Sequence, residues 1–205
     1  MTRAFAIVLV AVSFSACGAA SKEKPVDKDR SADEATLGKG KARTGLTAAM
    51  LASIPDADVE QAVFDYVTAR IGDDHEHEVA IVATLPVGAQ ALYITWLVDG
   101  EVNNGGFNQF YRNSAGVYAD QAAEAFEFFS AHEHAALVRE ANSVRALEAG
   151  ELQKYKDRGS LEAFSESYKH SRLGPVDDKY FALEEDLNTL RIAKIRAMPE
   201  FFSEK

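Results

Sequence analysis

From about residue 45 onward, apolar side chains recur at intervals of three and four residues, and that spacing commits the chain to helices. Val59, Ala62, Val63, Tyr66, Val67 and Ile71 fall on one face of a helix. Pro55 with Asp56 and Asp58 supplies its start signal, and Gly72 its stop. A second stripe follows Pro86 through Val87, Ala91, Ile94, Val98 and Val102, and a third runs through Tyr118, Ala122, Ala125, Phe126 and Phe129. Residues 133–148 form a fourth helix with Ala136, Leu137, Val144 and Leu147 apolar. Residues 161–168 form a shorter one, and Tyr180, Leu183, Leu187 and Leu190 a last seam ended by Pro199. Residues 78–85 alternate only weakly and read as loop or helix. The pattern predicts an all-α fold, a single helical bundle of six or seven helices over residues 45–205. About 160 residues suffice for one such core.

The first residues read differently. Arg3 precedes an apolar run over residues 4–12, which is too short to span a hydrocarbon layer of ~30 Å. Phe14-Ser15-Ala16-Cys17 resembles a bacterial lipobox, with Phe14 where Leu is usual, and Cys17 is the only cysteine in the chain. Residues 1–16 therefore read as a lipoprotein signal peptide, and Cys17 as the lipidated residue that anchors the protein to a membrane. Gly18, rather than Asp, follows the cysteine. If the host is Gram-negative, its sorting rules predict the outer membrane, facing the periplasm. With Cys17 acylated no thiol remains, so disulfides, a cysteine nucleophile and cysteine-based metal binding are excluded. Residues 17–44 hold seven Lys/Arg and five Asp/Glu with few large apolar residues, the composition of a disordered linker.

The remainder is acidic, and unevenly so. Residues 45–117 carry ten acids against two bases, Arg70 and Arg112, whereas residues 118–205 carry seventeen against twelve. Such a field repels nucleic acid, so DNA and RNA are not expected partners. Asp56, Asp58, Glu60, Asp65, Asp73, Asp74, Glu76 and Glu78 are the candidates for an acidic interaction face. Its counterpart would be a basic envelope protein. Solubility alone would also account for the charge.

The densest concentration of unusual residues is Glu101-Val102-Asn103-Asn104-Gly105-Gly106-Phe107-Asn108-Gln109-Phe110. Asn tolerates the left-handed conformation and Gly adopts it freely, so the helix from Val87 should run out here. Gly105 or Gly106 would cap it, with Phe107 folding back as an apolar contact. Asn108 and Gln109 then open a short helix that closes at Asn113-Ser114-Ala115-Gly116. Trp96 is expected to pack nearby. Two readings follow. In one, the amides satisfy backbone groups at a crowded junction and the aromatics are core. In the other, Asn103, Asn104, Asn108 and Gln109 line a small-ligand or enzymatic pocket, with Glu101 as its carboxylate and Arg112 as counter-charge.

This run resembles the signature of the DNA-mimic-related domain family, and the similarity extends from about Leu46 to Phe202. The resemblance implies an all-helical, non-enzymatic protein-binding domain, in one member an acidic dimer that occupies a DNA-binding regulator. A homodimer is accordingly an expectation here. Mimicry of DNA requires carboxylates spaced like phosphates, and an exported lipoprotein never meets a cytoplasmic regulator.

No other pattern carries chemistry. His75-Glu76-His77-Glu78 and His132-Glu133-His134 lack the His-Glu-x-x-His spacing, because Val79 and Ala136 stand where the second His belongs. Residues two apart on a helix also point apart. Gly38-Lys39-Gly40-Lys41 lacks the upstream glycine and following Ser/Thr of a phosphate loop, and no Gly-x-Ser-x-Gly occurs. Glu184-Glu185-Asp186 reads as a solvated helix face. No cofactor and no metal are expected.

Overall fold

The computed structural model describes residues 45–204. Residues 1–44, on which the expected signal peptide, the lipidated Cys17 and the linker fall, lie outside the described residues. Nine α-helices occupy the described chain: α1 (Ala48–Ser53), α2 (Asp56–Ile71), α3 (Glu78–Val82), α4 (Val87–Arg112), α5 (Ala119–Phe128), α6 (His132–Arg158), α7 (Leu161–Tyr168), α8 (Gly174–Phe181) and α9 (Leu187–Ala197). Short 3-10 turns span Ser114–Tyr118 and Pro199–Phe201, and no strand occurs among the described residues. The all-α expectation is borne out, with nine α-helices among the described residues rather than six or seven.

α4 is the axis of the fold. Ala89, Ala91, Leu92, Tyr93, Ile94, Val98 and Val102 are all buried, so its apolar surface runs most of the way round, as a central helix requires. α2, α5 and α8 pack directly against it, and α9 packs on α2. α2 keeps the limits its sequence announces: Pro55 precedes it, and Gly72 ends it with φ 55°, a left-handed value that glycine tolerates. The C-terminal segment closes the α4 end of the bundle. Phe202 is fully buried against Phe128 and Phe129. A methyl group on Gly88 would sit 2.8 Å from the Phe201 carbonyl oxygen, so only glycine permits that contact. The Glu204 N–H donates to the Leu46 carbonyl at 2.9 Å, and Tyr66 and Arg70 both donate to the Glu204 carboxylate, which ties the two ends of the described chain to α2.

Three boundaries differ from the periodicity. α1 precedes Pro55, capped by Thr47 Oγ1, which accepts from the Met50 N–H at 3.2 Å. α6 runs ten residues past Glu148, to Arg158. The seam from Tyr180 to Leu190 is two helices rather than one, because Asp186 accepts hydrogen bonds from both the N–H and the hydroxyl of Thr189 and so starts α9 afresh. Glu184, Glu185 and Asp186 are therefore a connection and a cap, not a solvated helix face.

Candidate functional site

The amide- and glycine-rich run forms a kink within α4. Gly105 (φ −164°, ψ 27°) and Gly106 (φ 73°, ψ 177°) depart from helical angles, and the helix resumes at Phe107. The restarted turn is capped from another helix: the Phe107 N–H donates to Asp177 Oδ1 of α8 at 2.7 Å. Tyr168 of α7 donates its hydroxyl to the Gly105 carbonyl at 2.5 Å. Burial raises the Asp177 carboxyl above its ordinary value, against the lowering effect of the Phe107 N–H, and Asp178 raises it further.

Around this kink the polar side chains divide among separate partners. Asn103 donates to the Asp99 carbonyl (2.9 Å) and to Asp99 Oδ1 (2.8 Å). Gln109 (2.7 Å) and Asn113 (2.8 Å) both donate to Glu101 Oε2, so the carboxylate lashes the restarted turn to the helix before it. Arg112 donates to the Ser160 carbonyl at 3.4 Å. Asn104 faces solvent. Asn108 is 7 % exposed and its Nδ2 has no partner. Phe107 is fully buried against Tyr111 and Tyr180. Trp96 is not part of this junction; it stacks on Phe64 of α2 with ring centroids 5.0 Å apart.

The acidic residues of α2 and the turn after it separate into two groups. Asp56, Asp58, Asp73, Asp74 and Glu76 are exposed and Asp65 is half-buried. Asp58 and Asp65 are seven residues apart, on one face of α2 and about 10 Å apart along its axis. Asp56 also pairs with Arg196 (2.7 Å) and Asp74 with His77 (2.8 Å). Glu60 and Glu78 do not belong to this face. Glu78 Oε1 accepts from the hydroxyls of both Tyr93 and Tyr118 at 3.0 Å, which draws its side chain down to 20 % exposure. Glu60 is 7 % exposed. Its place on α2, among Val59, Val63 and Val67, is the core side.

Glu60 meets a residue that sequence reasoning missed. Arg191 of α9 is 4 % exposed. Its Nε donates to Thr95 Oγ1 at 3.2 Å, its Nη1 lies 4.0 Å from Glu60 Oε2, and its guanidinium carbon sits 5.9 Å over the Trp96 ring. Asp99 completes the group, accepting from the Tyr180 hydroxyl at 3.1 Å. Burial pushes the Glu60 carboxyl up, opposed by Arg191 and the Asn188 amide; burial likewise lowers the Arg191 guanidinium.

The histidines have structural partners. His134 is buried, stacks on Phe126 and holds Glu185 Oε2 at 2.6 Å from its Nδ1. Glu185 also accepts from the N–H groups of Glu133 and His134, so it caps α6. Burial alone would raise the Glu185 carboxyl, but these hydrogen bonds outweigh it and hold it below its ordinary value. His132 lies 2.5 Å from Glu127, and His77 pairs with Asp74. Among the described residues, no three His, Cys, Asp or Glu side chains are grouped so as to hold a metal ion.

No curated protein and no solved structure matches this chain. A family model, that of the DMP19-like proteins, matches residues 83–198. The matched span takes in the α4 kink, Asp177 and Arg191, and begins after the acidic residues of α2 and the turn that follows it. It covers more than half of the chain, and the protein belongs to the DMP19-like family.

Proposed function

We propose that this acidic helical protein is a non-enzymatic interaction module, exported and held at a membrane through lipidated Cys17, with a basic envelope protein as its partner. The observation that carries the reading is the set of carboxylates on α2 and the turn after it, with Asp58, Asp73, Asp74 and Glu76 exposed and Asp65 half-buried, and with Arg70 as the one base between residues 45 and 111. A surface of one sign speeds encounter with a partner of the other and excludes like-charged polyanions. The resemblance that implies DNA mimicry points to the same use of acidic charge, and export would turn it from a cytoplasmic regulator toward an envelope protein. The partition of the kink amides between Asp99 and Glu101 favours a structural role for that motif over a catalytic pocket.

The lipid anchor is tested first, by fractionation. The wild-type protein is expected in the membrane fraction and Cys17→Ala in the soluble fraction, because more than one acyl chain is needed for stable anchoring. In-cell crosslinking followed by mass spectrometry then tests the partner. One dominant basic envelope protein is expected, and it should be lost when Asp58, Asp65, Asp73, Asp74 and Glu76 are changed together to their amides. A partner that survives that change would overturn the acidic-face reading. Recovery of the protein crosslinked only to itself would replace the basic partner with a homodimer.

A further inference from the structure

A cavity of about 320 Å³ opens between α2, α4 and α9, with Glu60, Trp96, Asp99, Gly100, Asn188 and Arg191 in its wall. Two of these lining side chains are chemically incomplete. Arg191 Nη2 and Glu60 Oε1 are both buried and neither has a hydrogen-bond partner. The 4.0 Å between Arg191 Nη1 and Glu60 Oε2 is beyond hydrogen-bond reach, so the pair does not satisfy itself. Native structures leave few such groups unpaired, and a buried charged donor or acceptor without a partner carries its full desolvation penalty. Asp99 is already engaged by Tyr180 and Asn103. The two vacancies are thus one donor and one acceptor, on side chains of opposite charge.

We propose that this cavity binds a carboxamide, whose carbonyl oxygen accepts from Arg191 Nη2, whose N–H donates to Glu60 Oε1, and whose plane lies against Trp96. A cation would serve Glu60 while setting a second positive charge beside Arg191. An anion would serve Arg191 while facing both Glu60 and Asp99. A neutral group carrying donor and acceptor side by side completes both vacancies and adds no charge beside two side chains of low exposure. Asn188, an exposed side chain in the wall, carries a carboxamide of its own beside Glu60 and leaves Oε1 unpaired. The volume lies at the small end of ligand sites and suits an amide on a short chain, either free or borne by a peptide.

Trp96 is the only tryptophan in the chain, so its fluorescence and its indole N–H resonance report on this cavity without labelling. The full chain is titrated with acetamide and with N-acetylglycinamide, and with acetate and methylammonium as charged counterparts. A saturable change with at least one amide is expected, at least tenfold tighter than with either ion. Response to acetamide marks a free amide as sufficient, and response to N-acetylglycinamide alone marks a peptide-borne one. Gly100→Leu adds a side chain at the wall of the cavity, where a Cβ meets nothing within 4 Å, and circular dichroism checks that the variant is folded. Amide affinity should fall at least tenfold in that variant and in Arg191→Met. The proposal is overturned if neither amide gives a saturable change, if the ions bind as tightly, or if folded Gly100→Leu binds as the wild type does.

Discussion

Gly106 holds φ at 73° and ψ at 177°, a combination open to glycine and closed to residues with a Cβ. The carboxylate of Asp177 lies where that Cβ would go, with Oδ2 at 2.5 Å from it. Strain and overlap act together, so Gly106→Ala should cost about 2 kcal/mol or more in denaturant unfolding. Gly100, six residues earlier in the same helix, has open space and ordinary helical angles. Gly100→Ala should therefore stabilise by about 0.5–1 kcal/mol. Equal effects from the two substitutions would refute the structural role given to the kink. The break itself was legible, since Asn-Asn-Gly-Gly is poor helix and Phe107 is a natural anchor. What no local pattern could show is that Asp177, seventy residues on, completes the cap. Arg191 was illegible for a related reason. It stands among Leu190, Ile192 and Lys194, as any amphipathic helix might place it, and only the packing of α9 on α2 makes it a buried charge facing Glu60.

At the scale of the element, the helix limits legible in the sequence are those written by local chemistry. Pro55 and Gly72 bracket α2, and Pro86 precedes α4. Spacing alone failed between Tyr180 and Leu190, where three-four periodicity continues through a break made by Asp186. The same connection supplies Glu185, which caps α6 across space through the N–H groups of Glu133 and His134 and pairs with the His134 ring. Glu185→Gln keeps an acceptor but removes the charge from the helix N-terminus and from His134. A loss of about 1 kcal/mol at neutral pH is expected. The carboxyl is held below its ordinary value of 4.5 in the folded state, so its contribution is complete above that value and disappears as pH falls through the folded value. Wild type and Glu185→Gln should therefore differ in urea unfolding at pH 7 and converge in acid. A difference that persists unchanged at pH 3 would mean that the carboxylate charge is not what stabilises α6.

For the whole molecule the governing quantity is charge. From residue 45 onward there are twenty-seven carboxylates against fourteen bases, and the excess is concentrated before residue 118. Two opposing electrostatic terms respond to salt. Exposed pairs such as Lys154–Glu151 and Arg139–Glu124 weaken as salt rises, but pairs at this exposure contribute little to begin with. Mutual repulsion among like charges also weakens, and it acts throughout the acidic half. Repulsion should win, so Tm is expected to rise with sodium chloride. Changing Asp58, Asp65, Asp73, Asp74 and Glu76 to their amides should raise Tm at low salt and flatten its dependence on salt. These residues form no part of the buried core, which separates their effect from packing. The interaction proposed for these acids would account for such self-repulsion, and the same five-fold variant tests it: the proposed partner should be lost as stability increases. Loss of the partner together with a lower Tm would instead show that the acids are structural.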